Sequence, residues 1–223
     1  TVPTTPSSAE NKLPDLTISN LYENRKYITQ VAWSKLISTY KSNVVATPPI
    51  EIYRGPNTKD YNVDLQKLFN IVIRTVGNYP APKMVRVIYY SQADFQWGLD
   101  KTLELMGPAE IQRVQAIHGG QLVKCNPGTD CSDGDAFVTK DNIAYLAIGH
   151  ATTPPKEMAQ DYSNGVTEAV EFYHSLQQNL YALNDSFKPM IGQLRASNEP
   201  PFWLNIAGEV EAQNMYKIPS GNI

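Results

Sequence analysis

The residues best equipped for chemistry in this chain are Glu171 and His174, within the stretch Ala169-Val170-Glu171-Phe172-Tyr173-His174-Ser175-Leu176-Gln177. A helix that binds zinc for hydrolysis pairs two imidazoles one turn apart. A Glu beside the first serves as general base for the metal-bound water. Here Glu171 holds the base position and His174 the second-ligand position, but Val170 stands where the first imidazole belongs. An isopropyl group has no lone pair to offer a metal. The same stretch outlines a hydrolytic metal site and removes one of its ligands. The plain alternative is a packed core helix carrying a single satisfied His.

Other groups offer less. Cys125 and Cys131 flank Asn126-Pro127-Gly128-Thr129-Asp130, a turn-forming run that can bring two thiols together. Closure of so short a loop points to a disulfide in an exported protein; two free buried thiols are the alternative. A zinc knuckle is disfavoured, since no C-x-x-C pair is present and only His118 lies near in sequence. Asp130, Asp133 and Asp135 around Gly134 form an acidic loop whose carboxylates suit calcium, although the Glu that closes an EF-hand loop is missing. A solvated loop is the alternative. His118, before Gly119-Gly120, is expected in a turn, and His150 just past a strand. Their spacing to His174 builds no metal site, so surface or hydrogen-bonded imidazoles are expected. No nucleophile elbow, P-loop or dinucleotide fingerprint occurs.

Composition sets the bounds. A chain of 223 residues can bury a sizeable core. Charged residues, at 18%, fall below the roughly 25% of soluble proteins, while 13 Tyr and 16 Pro enrich the surface in neutral polar and aromatic groups. The net charge of −3 and the lack of a basic run leave no footprint for nucleic acid. No apolar run approaches the roughly 18 residues that span a bilayer. Residues 1–14, rich in Pro, Ser and Thr, read as a flexible tether to an upstream membrane anchor, and residues 15–223 as one domain. The absence of a signal-peptide pattern fits a mature, exported chain.

The elements that would position these groups follow from periodicity. Helical spacing of apolar residues predicts helices over Tyr22 to Tyr40, Val63 to Val76, Ala93 to Leu105 and Val166 to Leu183, and one more from Phe202 or Asn205 to Tyr216. Ser91 is expected to cap the third, with Asp94 complementing its dipole. Strands are predicted at Ile50 to Tyr53, Met84 to Tyr90, Gln121 to Lys124, Ala136 to Val138 and Asn142 to Ile148. This order implies an α+β domain with a small mixed sheet and helices packed on it. On the Val166–Leu183 helix, Val166, Ala169, Val170, Tyr173 and Leu180 are expected to meet the sheet.

Four stretches together carry a family resemblance: Val85-Arg86-Val87-Ile88-Tyr89-Tyr90, Asp94 to Trp97, Ala169 to Gln177, and Pro201-Phe202-Trp203-Leu204-Asn205-Ile206-Ala207-Gly208. In this order they resemble exported bacterial proteins of the thermolysin-like zinc-peptidase superfamily, the gluzincins, over about Arg86 to Tyr216. The resemblance implies a zincin-like fold, with former ligand positions at Val170, His174 and Ile206 and a vestigial general base at Glu171. Two of the three ligands are replaced, so neither zinc nor peptidase activity is expected. What the resemblance then implies is a non-catalytic, peptidase-like module, extracellular or cell-surface, that binds a protein or peptide. Two alternatives stand beside it: a peptidase recruiting Glu209 or Glu211 as replacement ligand, and a self-associating structural surface protein.

Overall fold

The apolar run of Met84–Tyr90 becomes the central strand of a four-stranded sheet in the computed structural model, which describes residues 13–77, 79–118, 122–125 and 130–183. The strands are β1 (Ile50–Arg54), β2 (Met84–Tyr90), β3 (Gly134–Val138) and β4 (Ile143–Gly149), in the order β1-β2-β4-β3. The first two pairings are parallel and the last is antiparallel. Among the described residues six α-helices accompany them: α1 (Ile28–Ser42), α2 (Leu65–Val76), α3 (Phe95–Met106), α4 (Pro108–His118), α5 (Lys156–Asn164) and α6 (Val166–Leu183). The architecture is α+β with a small mixed sheet, as the sequence implies.

Alternation along the strands fills two cores. Val85, Val87 and Tyr89 of β2 and Ala144, Leu146 and Ile148 of β4 join α2 and α6 on one face. Ile88 and Tyr90, with Tyr145 and Ala147, face the other way, toward α3 and α4. The two helices of the first face meet through Phe69 and Phe172, stacked at 4.1 Å. Asp64 caps α2 by accepting from the Lys67 N–H at 3.0 Å. At its far end the Asn43 amide donates to the carbonyls of Ile73, Arg74 and Gly77, which ties the otherwise exposed α1 to the domain.

Several expectations need correction. Leu122 to Lys124 lie in no strand; Leu122 and Val123 are buried as an apolar plug under α3 and α4, so packing and not a ladder explains their character. α4 and α5 escape the periodicity because α5 is short and mostly polar, with only Met158, Ala159 and Tyr162 turned inward, while α4 is announced mainly by Pro108 at its first position. His118 ends α4 and does not sit in a turn. The helix predicted from Phe202 or Asn205 to Tyr216 and the tether through Lys12 lie outside the described residues.

Ser91 also acts differently from expectation, while Asp94 stands at the start of α3 as expected. Neither side chain caps its helix. The Asp94 carboxylate, buried between β2 and α3, instead accepts from the Asn57 N–H (2.9 Å), the Asn57 amide (2.9 Å) and the Thr58 hydroxyl (2.6 Å). Burial alone would raise its pKa; these donors and Ser91 outweigh that and hold it below the usual carboxylate range. A Cβ at Gly55 would come within 2.4 Å of the carboxylate, so the turn after β1 can approach only as glycine.

The β3 edge is closed by side chains. Gln178 of α6 accepts from the Val138 N–H and donates to the Ala136 carbonyl, both at 2.9 Å, as a neighbouring strand would. Asp135 accepts from the Ala136 N–H, and Arg113 donates to the Val138 carbonyl. Asp94→Ala should strand the Asn57 and Thr58 donors and lower stability by about 3 kcal/mol. Urea unfolding measures this; a loss below about 1 kcal/mol would show that the loop holds without the carboxylate.

Candidate functional site

α6 carries the sequence-predicted groups through two turns, with Val170 and His174 one above the other at i and i+4 and Glu171 beside them. Val170 is 8% exposed and belongs to the apolar core shared with α2 and the sheet, together with Ala169 and Tyr173 as expected and with Phe172 and Leu176. Val166 and Leu180 are only half-buried. Glu171 is buried against β3: a Cβ at Gly134 would lie 2.6 Å from its Oε1 and 2.7 Å from the Thr167 methyl. One turn on, the half-buried His174 shares a hydrogen bond with Gln177, Nδ1 to Oε1 at 3.0 Å. Glu171 thus sits at the α6–β3 contact, and Val170, one turn before His174, packs in the core. Ile206, expected from the resemblance at the third ligand position, lies outside the described residues, as do Ala207, Glu209 and Glu211.

The acidic loop is built around the disulfide. Cys125 and Cys131 are joined, with Cα atoms 4.6 Å apart. Each carboxylate nearby answers a different protein donor. Asp130 accepts from the Thr152 N–H (2.7 Å) and hydroxyl (3.2 Å). Asp133 accepts from the Gly134 N–H at 2.8 Å, and Asp135 pairs with the Lys124 ammonium. Burial would lower the Lys124 pKa, but the hydrogen bond and charge of Asp135, with Asp133 and Glu171, raise it. The three carboxylates do not converge, and the described residues contain no group of three or more His, Cys, Asp or Glu side chains placed to hold a metal.

The densest cluster of perturbed groups is one that the sequence does not reveal. At the end of β4, where the three parallel strands all point, His150 is 1% exposed. It is not the surface imidazole that was one expectation; among the described residues neither ring nitrogen makes a hydrogen bond of good geometry, and the Lys59 backbone is the polar group that favours its protonated form. The rings of Tyr162, Tyr61 and Tyr89 surround it at 4.5, 5.0 and 5.1 Å. Burial pushes its pKa down to about 4, against the pull of the Lys59 backbone. Behind Tyr89, Glu168 is fully enclosed and accepts from the Tyr89 hydroxyl at 3.0 Å, while its Oε2 and the Tyr61 hydroxyl have no hydrogen-bond partner among the described residues. Burial raises the Glu168 pKa to about 7, with the hydrogen bond from Tyr89 and the Arg54 charge opposing. Arg54 itself lies over the Tyr89 ring at 4.2 Å. Between about pH 4 and 7 both His150 and Glu168 are therefore neutral. Among the described residues both groups lie in an enclosed site, with His150 1% exposed and Glu168 0%.

A cleft of about 250 Å³ between α3 and α4, lined by Leu99, Leu103, Ile111, Val114 and Val123, contains none of these groups. Among the described residues no helix is long and apolar enough to cross a membrane. Compared with protein-family models, curated proteins and solved structures, the chain finds no match.

The two buried groups should oppose each other in the pH profile of stability. The folded chain holds the Glu168 proton up to about 7 and the unfolded chain only to about 4.5, so this group makes stability fall as pH rises between those values. His150 takes its proton below 6.5 unfolded but below about 4 folded, so it makes stability rise with pH across that window. Between 4.5 and 6.5 the slopes cancel. Glu168→Gln should leave a rise of roughly 1 kcal/mol per pH unit there, and His150→Phe a comparable fall. Urea titrations at intervals across the window check both signs; a variant profile parallel to that of the parent would contradict the assignment.

Proposed function

We propose that this chain is a non-catalytic, zincin-like module, bacterial in origin and exported, held at the cell surface by its N-terminal tether to bind a protein or peptide. The observation that carries the reading is the burial of Val170 beside Glu171 and His174. The position where a first imidazole would stand is filled by core packing, and His174 uses its ring nitrogen on Gln177. A single imidazole with one carboxylate falls short of the three protein ligands that catalytic zinc takes. The small mixed sheet followed by a long helix carrying E-x-x-H is in keeping with the gluzincin resemblance. The Cys125–Cys131 bond favours an oxidising compartment, hence export. Binding without chemistry is the role such a scaffold retains.

Metal analysis of the purified chain should find no stoichiometric zinc, and peptide substrates should remain uncut. The double variant Val170→His with Ile206→Glu should gain measurable zinc affinity by calorimetry. One equivalent of zinc in the parent chain, lost on His174→Ala, would overturn the non-catalytic reading. As a check on the packing itself, Val170→Asp should cost roughly 3 kcal/mol or more by burying an unpaired carboxylate. A neutral effect in urea unfolding would mean that the position is open after all.

A further inference from the structure

The sheet has two edges, and they are finished differently. Gln178, Asp135 and Arg113 cover the outward peptide groups of β3. At β1 the Val85 N–H donates to the Pro49 carbonyl (2.9 Å) and the Gly55 N–H to the Tyr89 carbonyl (3.0 Å). The peptide groups of residues 49, 51, 53 and 55 therefore turn toward β2, and alternation turns those of Ile50, Ile52 and Arg54 outward. No described residue bonds the N–H or C=O groups of these three. The Ile52 side chain at the middle of the strand is 53% exposed. Pro48, Pro49 and Pro56 bound the strand, so the open ladder is short and its centre is Ile52.

We propose that β1 is a self-pairing edge: two copies of this chain join their β1 strands antiparallel about a twofold axis through Ile52, making one continuous sheet. This stands on the sheet edge and is independent of the zincin-like reading. The occupant is a second copy because the strand complements itself only in this register. Ile52 meets Ile52 of the second copy and Ile50 meets its Arg54, so all three outward residues exchange both of their backbone bonds. On the opposite face Glu51 meets Tyr53 of the second copy. Within one chain Tyr53 already donates to Glu51 at 2.9 Å, so the same phenol–carboxylate pair can form across the strands. Centring on Glu51 would oppose two carboxylates, and centring on Arg54 two guanidinium groups. Centring on Tyr53 leaves Ile50 without a partner. No like charges meet in the Ile52 register.

Sedimentation equilibrium over a range of concentrations tests this, with the full chain. A monomer–dimer equilibrium is expected. Ile52→Lys sets two ammonium groups opposite each other and should raise the dissociation constant at least about ten-fold, with circular dichroism and melting unchanged because the side chain is exposed. Ile52→Cys gives an independent reading. Across a hydrogen-bonded antiparallel pair the Cα atoms lie about 5.5 Å apart, within disulfide range, so oxidation should cross-link two copies. Ile18→Cys, at a position 99% exposed, is the control and should not cross-link comparably. A monomer at every concentration, a dimer that Ile52→Lys leaves unweakened, or equal cross-linking of the control overturns the proposal.

Discussion

The Asp94 carboxylate is the contact on which the carboxyl-terminal edge of the sheet depends. It sits where β2 gives way to α3, yet its partners Asn57 and Thr58 belong to the turn after β1. A buried charge is tolerable only when donors replace water, and here side-chain and backbone donors do so together. The chain leaving that turn supplies Lys59, Asp60 and Tyr61, and Tyr61 forms one wall around His150. Arg54, at the end of β1, is held by Asp60 at 3.0 Å and reaches over Tyr89. The enclosed His150–Glu168 cluster thus exists because one carboxylate fixes the loop that closes over it.

α6 poses the complementary problem, a helix with polar residues enclosed among apolar ones. Glu168, Glu171, Ser175, Gln177 and Asn179 are all buried. An amphipathic surface helix shows one apolar stripe; a helix covered on most sides must satisfy each polar group individually. Ser175 returns its hydroxyl to the Phe172 carbonyl at 2.6 Å, Asn179 donates to the Pro80 carbonyl at 3.3 Å, and Glu168 takes the Tyr89 hydroxyl. Half-buried Gln178 serves β3 instead of its own helix. These bonds, with the Phe69–Phe172 stack, make α6 the piece that joins the sheet to α2.

Much of this scaffold was legible in the residues. The strand at Met84–Tyr90 and the helix at Val166–Leu183 announce themselves because each buries a regular apolar series. Cys125 and Cys131 announce a disulfide by loop length alone. The His150 cluster was not legible, because its members come from five separate parts of the chain and no local pattern joins Tyr61, Tyr89, His150, Tyr162 and Glu168. An imidazole enclosed among tyrosine rings also runs against expectation, since polar groups usually enter a core with well-formed hydrogen bonds. Leu122 and Val123 misled for the opposite reason: a short apolar run fits a strand as well as a plug, and only its tertiary surroundings decide.

The E-x-x-H pair itself has a structural account that needs no metal. Glu171 lies against Gly134, the one residue of β3 that offers no Cβ, and any larger side chain there would strike the carboxyl or the Thr167 methyl. Its charge adds to those of Asp135 and Asp133 in favouring the protonated Lys124 beside the disulfide. His174 and Gln177 satisfy each other one turn later, and Gln178 follows at the sheet edge. Glu171 and Gln178, two turns apart, therefore recur on the side of α6 that β3 runs along. The packing of β3 thus accounts for Glu171 and Gln178 in physical terms, through the space that Gly134 leaves and the edge peptide groups that Gln178 completes.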